Sequence, residues 1–407
     1  LKILYISTVF PSPEKNSTIY TDLIEELKER GHEIVVVATD DKRNVDRTKL
    51  NVERGVTVLR VKTGSIYDVS LIEKGISILT LKYYLISAIK KFLKHKKFDL
   101  ILFESPPVTI VDVVNWAMKY FKCPSYLMLK DIFPQNAVDI GIMKTNSIVY
   151  RYFKQKEKKL YHIATTIGCM SNGNKEYILK HNLWLNRKKI DIFPNTKKIN
   201  YYGSKPTDFK MRCKYGIPED AVVAVYGGNM GKPQGLDFLL DIMSHSTERN
   251  DIFFLLVGRG TERSKIRDYI KREGLKNVLL IDNLPRDEYE TLITECDIGL
   301  IFLDKRFTIS NFPSRVLSYF EYSLPVLAAT DVNTDFKEMI EKSKAGFWVQ
   351  AGDIEDFMKK LDILIKDNDL RYRMGKSGRE YLERNFHVGI SADILERHFK
   401  KNNSLLD

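Results

Sequence analysis

Ser310 to Asp331, SNFPSRVLSYFEYSLPVLAATD, sets a loop, a short helix and a buried strand side by side. Pro313 suits the first helical position, where its missing N–H costs nothing, so the amides of Ser314 and Arg315 stand at the positive end of the helix dipole. The Ser314 hydroxyl and the Arg315 guanidinium add donors of the kind phosphate prefers. The apolar run Pro325 to Ala329 then returns the chain to a sheet. A capped helix whose arginine faces water is the competing reading of the same residues.

Two upstream turns repeat the arrangement. Ala221 to Tyr226 (AVVAVY) reads as a buried strand, and Gly227, Gly228, Asn229, Gly231 and Lys232 follow it before the amphipathic segment Gly235 to Ser244. Phe253 to Val257 (FFLLV) leads to Gly258, Arg259 and Gly260, then to a helix around Ser264 to Arg272. Glycines there let backbone N–H groups approach an anion, and Lys232 and Arg259 supply charge. One Gly-x-Gly after a strand often does no more than turn the chain. Three such turns at the carboxyl edge of one parallel sheet favour a nucleotide crevice.

The strand and helix alternation runs from end to end. The first half gives strands near Lys2–Ser7, Glu33–Ala38, Val56–Val61, Asp99–Phe103, Ser125–Leu129, Thr165–Met170 and Lys189–Phe193, with a helix from Tyr20 to Arg30 that stops at Gly31. A polar linker, Asn195 to Thr207, precedes the second sheet. That sheet continues at Phe253, Val278, Ile298, Val326 and Gly346, and helices from Asp353 to Leu382 and His387 to Lys400 close the chain. The pattern predicts an α/β protein of two doubly wound, Rossmann-like domains, 1–198 and 199–385, facing across a cleft, with a last helix in 386–407 that could return to the first domain.

The 407 residues carry a net charge of +12, unevenly spread. Residues 1–200 hold 34 Lys+Arg against 20 Asp+Glu, and the remainder 31 against 33. The densest basic cluster, Lys82 to Lys97 (KYYLISAIKKFLKHKK), interleaves Tyr83, Tyr84, Leu85, Ile89, Phe92 and Leu93 with lysines, and Tyr150 to Tyr161 is similar. Such helices suit an anionic membrane face, although a solvated face beside a core has the same composition. The weakly charged run Gly75 to Ile89 is too short to span a bilayer, so peripheral attachment is the expectation. No zinc-finger, helix-turn-helix or RNA-recognition signature accompanies the basic half, which argues against nucleic acid. Cys123, Cys169, Cys213 and Cys296 stand far apart without a Cys-x-x-Cys pair, and the sequence opens on a strand, so a cytosolic chain with no metal cluster or disulfide framework is expected.

In order, KILYIS, RGHEIVVVAT, Pro194-Asn195, YGGNMGKPQGLDFLLD, FLLVGRGTER, FPSRVLSYFEYSLPVLAATD and LRYRMGKSGREYLERNF resemble the GT-B glycosyltransferases of family four, specifically the bacterial group that builds capsule, O-antigen and exopolysaccharide units. The resemblance implies a retaining glycosyltransferase without metal or cofactor. Its donor would be a nucleotide sugar, most often a UDP-sugar, and its acceptor an undecaprenyl-diphosphate-linked saccharide at the inner face of the cell membrane. The base would lie near Asn283, Leu284 and Pro285, and the diphosphate over Gly228, Asn229, Lys232, Gly258, Arg259, Ser314 and Arg315. Asp367-Asn368-Asp369 looks like a metal-binding Asp-x-Asp but reads as a helix cap.

Several positions depart from the family pattern. Its Glu-x7-Glu pair falls on Ser310 and Ser318, so the ribose contact lands on a serine, and Glu321 is not given that role. The Arg and Lys usual in the glycine turn fall on Asn229 and Gln234. The loop Thr8 to Lys15 has no glycine. Where relatives present a His or Asp toward the reacting sugar, this chain has Lys130-Asp131-Ile132-Phe133-Pro134, which makes Asp131 the candidate to orient the acceptor hydroxyl or take its proton. Glu104, before Ser105-Pro106-Pro107, is a second acid at the same edge, and His162 and His181 read as helix-surface residues. Two rival functions remain at this stage: a catalytically silent sugar-nucleotide-binding subunit of a membrane complex, and a UDP-sugar 2-epimerase.

Overall fold

A computed structural model describes residues 1–8, 10–12, 17–43, 47–65, 69–200 and 209–403, with side chains except at 71, 72, 286 and 400–403. Two compact units emerge: Leu1–Lys198 together with the C-terminal helix Val388–Asn403, and Ile199–His387.

The first unit is built on strands β1 (Lys2–Ser7), β2 (Glu33–Asp41), β3 (Lys49–Glu53), β4 (Val56–Thr63), β5 (Leu100–Ser105), β6 (Ser125–Leu129), β7 (Thr166–Cys169) and β8 (Ile190–Ile192). They lie in the order β3-β4-β2-β1-β5-β6-β7-β8, parallel throughout except for β3 against β4. Central strands such as Ile3–Ile6 and Val35–Ala38 are buried on both faces, which is why they read as continuous apolar runs. The winding reverses between β1 and β5, so the crevice of this sheet opens beyond Ser7 and Ser105.

Strand β3 had no counterpart in the sequence reading. Its five residues KLNVE are partly exposed and carry little apolar signal. Arg54 (φ 48°) and Gly55 (φ 71°) turn it into β4 by the two-residue positive-φ geometry that hairpins favour. The hairpin has work to do: Arg60 on β4 bonds the Glu53 carboxylate at 2.6 Å and the Phe10 carbonyl at 2.6 Å, tying down the loop after β1.

Thr18 caps the helix Ile19–Glu29 in a reciprocal capping box. The C-terminal helix joins this unit, burying Val388, Ala392, Leu395 and Phe399 in its core, and Arg30 reaches Asp393 at 2.6 Å and the Gly389 carbonyl at 3.1 Å. Residues 201–207 of the expected linker lie outside the described residues. Its beginning is no slack tether, because the Thr196 hydroxyl bonds Ser391 at 2.7 Å and the Lys198 amide donates to Asp22 at 2.9 Å.

The basic aromatic cluster lies in the helix Leu71–Leu93. Leu85, Ile89 and Leu93 are buried and face the core, so for them the solvated-helix reading was right. Tyr83 and Tyr84 are exposed, and so are Leu79 and Ile76, one and two turns before Tyr83. Among the described residues no helix is long and apolar enough to cross a membrane.

The second unit carries β9 (Val222–Gly227), β10 (Ile252–Val257), β11 (Val278–Ile281), β12 (Ile298–Phe302), β13 (Val326–Thr330) and β14 (Gly346–Gln350), all parallel, in the order β11-β10-β9-β12-β13-β14. Its winding reverses between β9 and β12. Phe238, Phe302 and Phe357 interlock in the core, with ring centroids 5.6 to 6.4 Å apart. Asp367 accepts from the Leu370 amide at 2.8 Å and so caps the helix Asn368–Asn385.

One local expectation is corrected. The helix of the opening stretch is Arg315–Glu321, with Ser314 at its N-cap, so Pro313 stands ahead of the helix and not at its first position. The reason is a tighter preceding turn, in which the Val316 amide bonds the Pro313 carbonyl at 3.3 Å.

Candidate functional site

At the carboxyl edge of the second sheet the two glycine turns are stitched together. The Gly228 amide donates to the Val257 carbonyl at 2.9 Å, the Met230 amide to the Arg259 carbonyl at 2.7 Å and the Gly258 amide to the Ile281 carbonyl at 3.1 Å. A Cβ on Gly258 would overlap the Gly228 carbonyl, and one on Gly260 the Met230 carbonyl. Those two glycines therefore let neighbouring backbones close up, a packing demand that any ligand role comes on top of. Gly228, Asn229, Lys232 and Arg259 are left exposed on the outer side of the stitched turns, and neither cation forms an ion pair among the described residues.

Arg315 comes to the same place from the first position of the helix Arg315–Glu321. Its guanidinium lies 4.3 Å from the Tyr226 ring centroid and against Gly228, and its buried Nη1 has no hydrogen-bond partner. Tyrosines surround it. The Tyr226 hydroxyl donates to the Asn229 carbonyl at 2.6 Å, Tyr319 accepts from the Gly227 amide at 3.1 Å, and the Tyr289 hydroxyl faces the bare side of Gly227. These rings fix both the turn and the cation, and none was singled out in the sequence, where they lie up to 93 residues apart. Asp331 holds the loop behind Arg315: its carboxylate accepts from the amides of Asn333 and Thr334, whose side chains bond the Phe307 and Asn311 carbonyls at 2.6 Å each.

Ser314 is exposed and Ser318 half-buried on the short helix, and Asn283, Leu284 and Pro285 form the loop after β11 at the same sheet edge. Glu321 is buried and accepts from the Asn200 amide at 2.9 Å.

The first sheet brings together Glu104, Lys130 and Asp131. Glu104 lies one residue before the end of β5, 2% exposed, and one carboxyl oxygen accepts from Ser7 Oγ at 2.8 Å and the Thr8 amide at 3.0 Å, while the other has no partner among the described residues. Burial pushes its carboxyl up to about 7, against the pull of its hydrogen bonds. Lys130 follows β6 directly, its amide bonded to the Ser105 carbonyl at 2.9 Å and its ammonium over the Phe193 ring at 5.1 Å. Burial pulls this ammonium down to about 7, and the charge of Glu104 pulls the other way. A small cavity beside it is lined by Tyr20, Leu23, Lys130, Phe193, Thr196 and Ser391.

Asp131, half-buried, spends both oxygens locally. One accepts from the Ile132 amide at 2.7 Å and the other from Asn136 Nδ2. Burial raises its carboxyl to about 6. His162 and His181 are exposed on helices, as expected.

Two family models match this chain. Glycosyltransferase Family 4 covers residues 17–196, and Glycosyl transferases group 1 covers residues 208–381. Among curated proteins, a probable glycosyltransferase of Pseudomonas aeruginosa, WbjE, is 21% identical over 66% of each chain. The capsular polysaccharide biosynthesis glycosyltransferase CapM of Staphylococcus aureus is 25% identical over 59% of this chain and 62% of its own. The matches thus span less than two thirds of the relatives' length. Among solved structures, HepE of Anabaena in complex with UDP-glucose superposes with a TM-score of 0.71 at 17% identity, covering 97% of this chain and 98% of that one. At that identity the likeness establishes the fold, two parallel-sheet α/β domains of the GT-B type.

Proposed function

This chain belongs to the GT-B glycosyltransferases, a family 4 domain followed by a group 1 domain, and from that premise we propose that it transfers a sugar from a nucleotide donor in bacterial surface polysaccharide biosynthesis. In this reading the second unit binds the donor and the first receives the acceptor. The observation that carries it is Arg315: a half-buried cation packed among tyrosines, with a buried donor nitrogen left unused, at the switch point of a parallel sheet. A buried donor left without a partner is costly, and a diphosphate placed over Gly228 would remove that cost. Lys232, Arg259 and the turn amides add positive potential for the charge that develops on the leaving diphosphate, so the reaction is proposed to run without a divalent ion.

UDP is the proposed carrier, in keeping with the UDP complexes of HepE, with its base near Asn283 to Pro285 and its ribose by Ser318. Retention at the anomeric carbon follows the family resemblance. The acceptor is proposed to be a saccharide on undecaprenyl diphosphate, met at the inner membrane face, with Asp131 and Glu104 among the residues beside its reacting hydroxyl. Membrane contact has a definite surface in this proposal. Ile76, Leu79, Tyr83, Lys90 and Lys94 recur at spacings that fall on one side of the helix Leu71–Leu93 and its cap, apolar first and cationic after, over about 27 Å.

A thermal-shift panel of UDP, GDP, ADP and TDP tests the donor assignment. UDP is expected to raise the unfolding midpoint most, and preferential protection by GDP overturns the choice of base.

A further inference from the structure

Strand β3 closes one side of the first sheet, and no strand lies beyond it among the described residues. Its pairing with β4 runs without a bulge from Glu53 opposite Val56 to Lys49 opposite Arg60. Glu53 and Val56 flank the two-residue turn and exchange the first pair of hydrogen bonds, so Asn51 and Lys49 exchange the next two pairs with β4. Leu50 and Val52 therefore turn their N–H and C=O groups away from β4. Their side chains stand out as well, at 44% and 77% exposure. Edge strands are ordinarily blunted by prolines, bulges or lysines. β3 has no proline and no bulge, and its one lysine is balanced by Glu53 at an equal distance from Asn51.

We propose that β3 is an interface with a second copy of this chain, the two β3 strands pairing antiparallel about a two-fold axis at Asn51. Read against its own reverse, KLNVE sets Lys49 opposite Glu53, Leu50 opposite Val52 and Asn51 opposite itself. Side chains alternate between faces, so Leu50 and Val52 of both copies cover one face of the seam, and Lys49, Asn51 and Glu53 the other. Leu50 and Val52 are also the residues with outward main-chain groups, so the same register closes four hydrogen bonds. A slip by two residues keeps that parity but puts Lys49 or Glu53 opposite Asn51, so charge selects the register.

Arg60, which holds Glu53 at 2.6 Å, lies on the polar face, and Lys49 of the other copy joins that pair without breaking it. The result is an isologous, closed dimer with its two edge strands covered. Its axis stands perpendicular to the sheet, so the basic helix Leu71–Leu93, which packs over β4, lies on the same side in both copies. This goes beyond the glycosyltransferase reading and does not depend on it.

The test uses the full chain with the exposed Cys213 changed to serine, so that a cross-link comes from an introduced cysteine. Asn51→Cys lies on the axis, in the closely spaced kind of antiparallel pair, whose Cα atoms are about 4.5 Å apart and within reach of a disulfide. Lys49→Cys, more exposed on the same strand, would lie about 14 Å from its own copy, beyond that reach. Under mild oxidation Asn51→Cys is expected to give about ten times or more the linked dimer of Lys49→Cys, and equal yields, the mark of chance collision, overturn the proposal. Sedimentation velocity on the chain without introduced cysteines is expected to show a dimer that grows with concentration up to about 100 μM, as suits a small interface. Asn51→Lys and Asn51→Asp should each be monomeric, because each meets its own charge at the axis, and their equimolar mixture should dimerise again. A mixture that stays monomeric, or single variants that dimerise as well as wild type, overturns the proposal.

Discussion

The edges of the two sheets handle buried charge in opposite ways. In the second unit, Arg315 is ringed by tyrosines, pairs with no carboxylate among the described residues, and is proposed to have its charge completed by a ligand. In the first, Glu104 and Lys130 face one another, each pushed toward its neutral form by burial. The lesson is that one fold, repeated, can leave a guanidinium without a carboxylate partner at one switch point and set an acid beside an amine at the other. The largest expected effect comes from breaking the receptor. Arg315→Met should lower turnover by about 10²- to 10³-fold and abolish the UDP-induced thermal shift, because it removes a fixed donor aimed at developing charge. A variant that still binds UDP and turns over normally would leave the arginine a mere packing residue over Tyr226. EDTA, by contrast, should leave the wild-type rate unchanged.

The first edge is tested next, through stability. The Glu104 carboxyl holds its proton more tightly in the folded chain, so the folded state is favoured at low pH and loses that advantage as pH rises from the ordinary 4.5 to about 7. Lys130 does the reverse. Its amine is the weaker base when folded, so stability recovers as pH rises from about 7 toward 10.5. Stability should therefore pass through a minimum near neutrality, and Glu104→Gln should remove a few kcal/mol of the fall on its acid side. Urea midpoints at acid, neutral and alkaline pH decide it, and a steady rise across that range contradicts the paired burial.

The surfaces of the two units differ as well, since the excess of lysine and arginine lies in residues 1–200. Lys90→Gln, Lys91→Gln and Lys94→Gln together should weaken binding to phosphatidylglycerol vesicles by about tenfold or more, at roughly 1 kcal/mol for each lysine that reaches the surface. Neutral vesicles should show almost no change. Equal loss on both would assign the helix face to a protein partner.

Much of the fold could be read in advance because parallel strands buried on both faces leave apolar runs such as VVVA and AVVAVY. Strand β3 could not, since KLNVE is half-exposed, although Arg54-Gly55 before an alternating run was a usable hairpin signal. At the site, the motif residues Gly228, Lys232, Arg259 and Arg315 are visible as turn glycines and cations. The cage of Tyr226, Tyr289 and Tyr319 is not, because it is assembled from separate strands and helices and each tyrosine alone looks like core. Lys130 had a fainter mark, a single lysine closing the buried run SYLML, and its nearness to Glu104 could not be read because that acid lies on another strand.

Asp131 sharpens the contrast with the smallest change. Its oxygens hold the Ile132 amide and Asn136, so its work is to fix the segment that follows β6 and carries Lys130 at its head. Asparagine can keep the bond to the Ile132 amide, and Asn136 can turn its amide to meet the new side chain. Asp131→Asn should accordingly lower transfer by about tenfold or less, Asp131→Ala by more, and neither should alter the UDP-induced thermal shift. If Asp131→Asn instead costs about 10²-fold or more with the UDP-induced thermal shift intact, the carboxylate itself takes part in the transfer, and the first edge is an acid site of the kind its sequence announces.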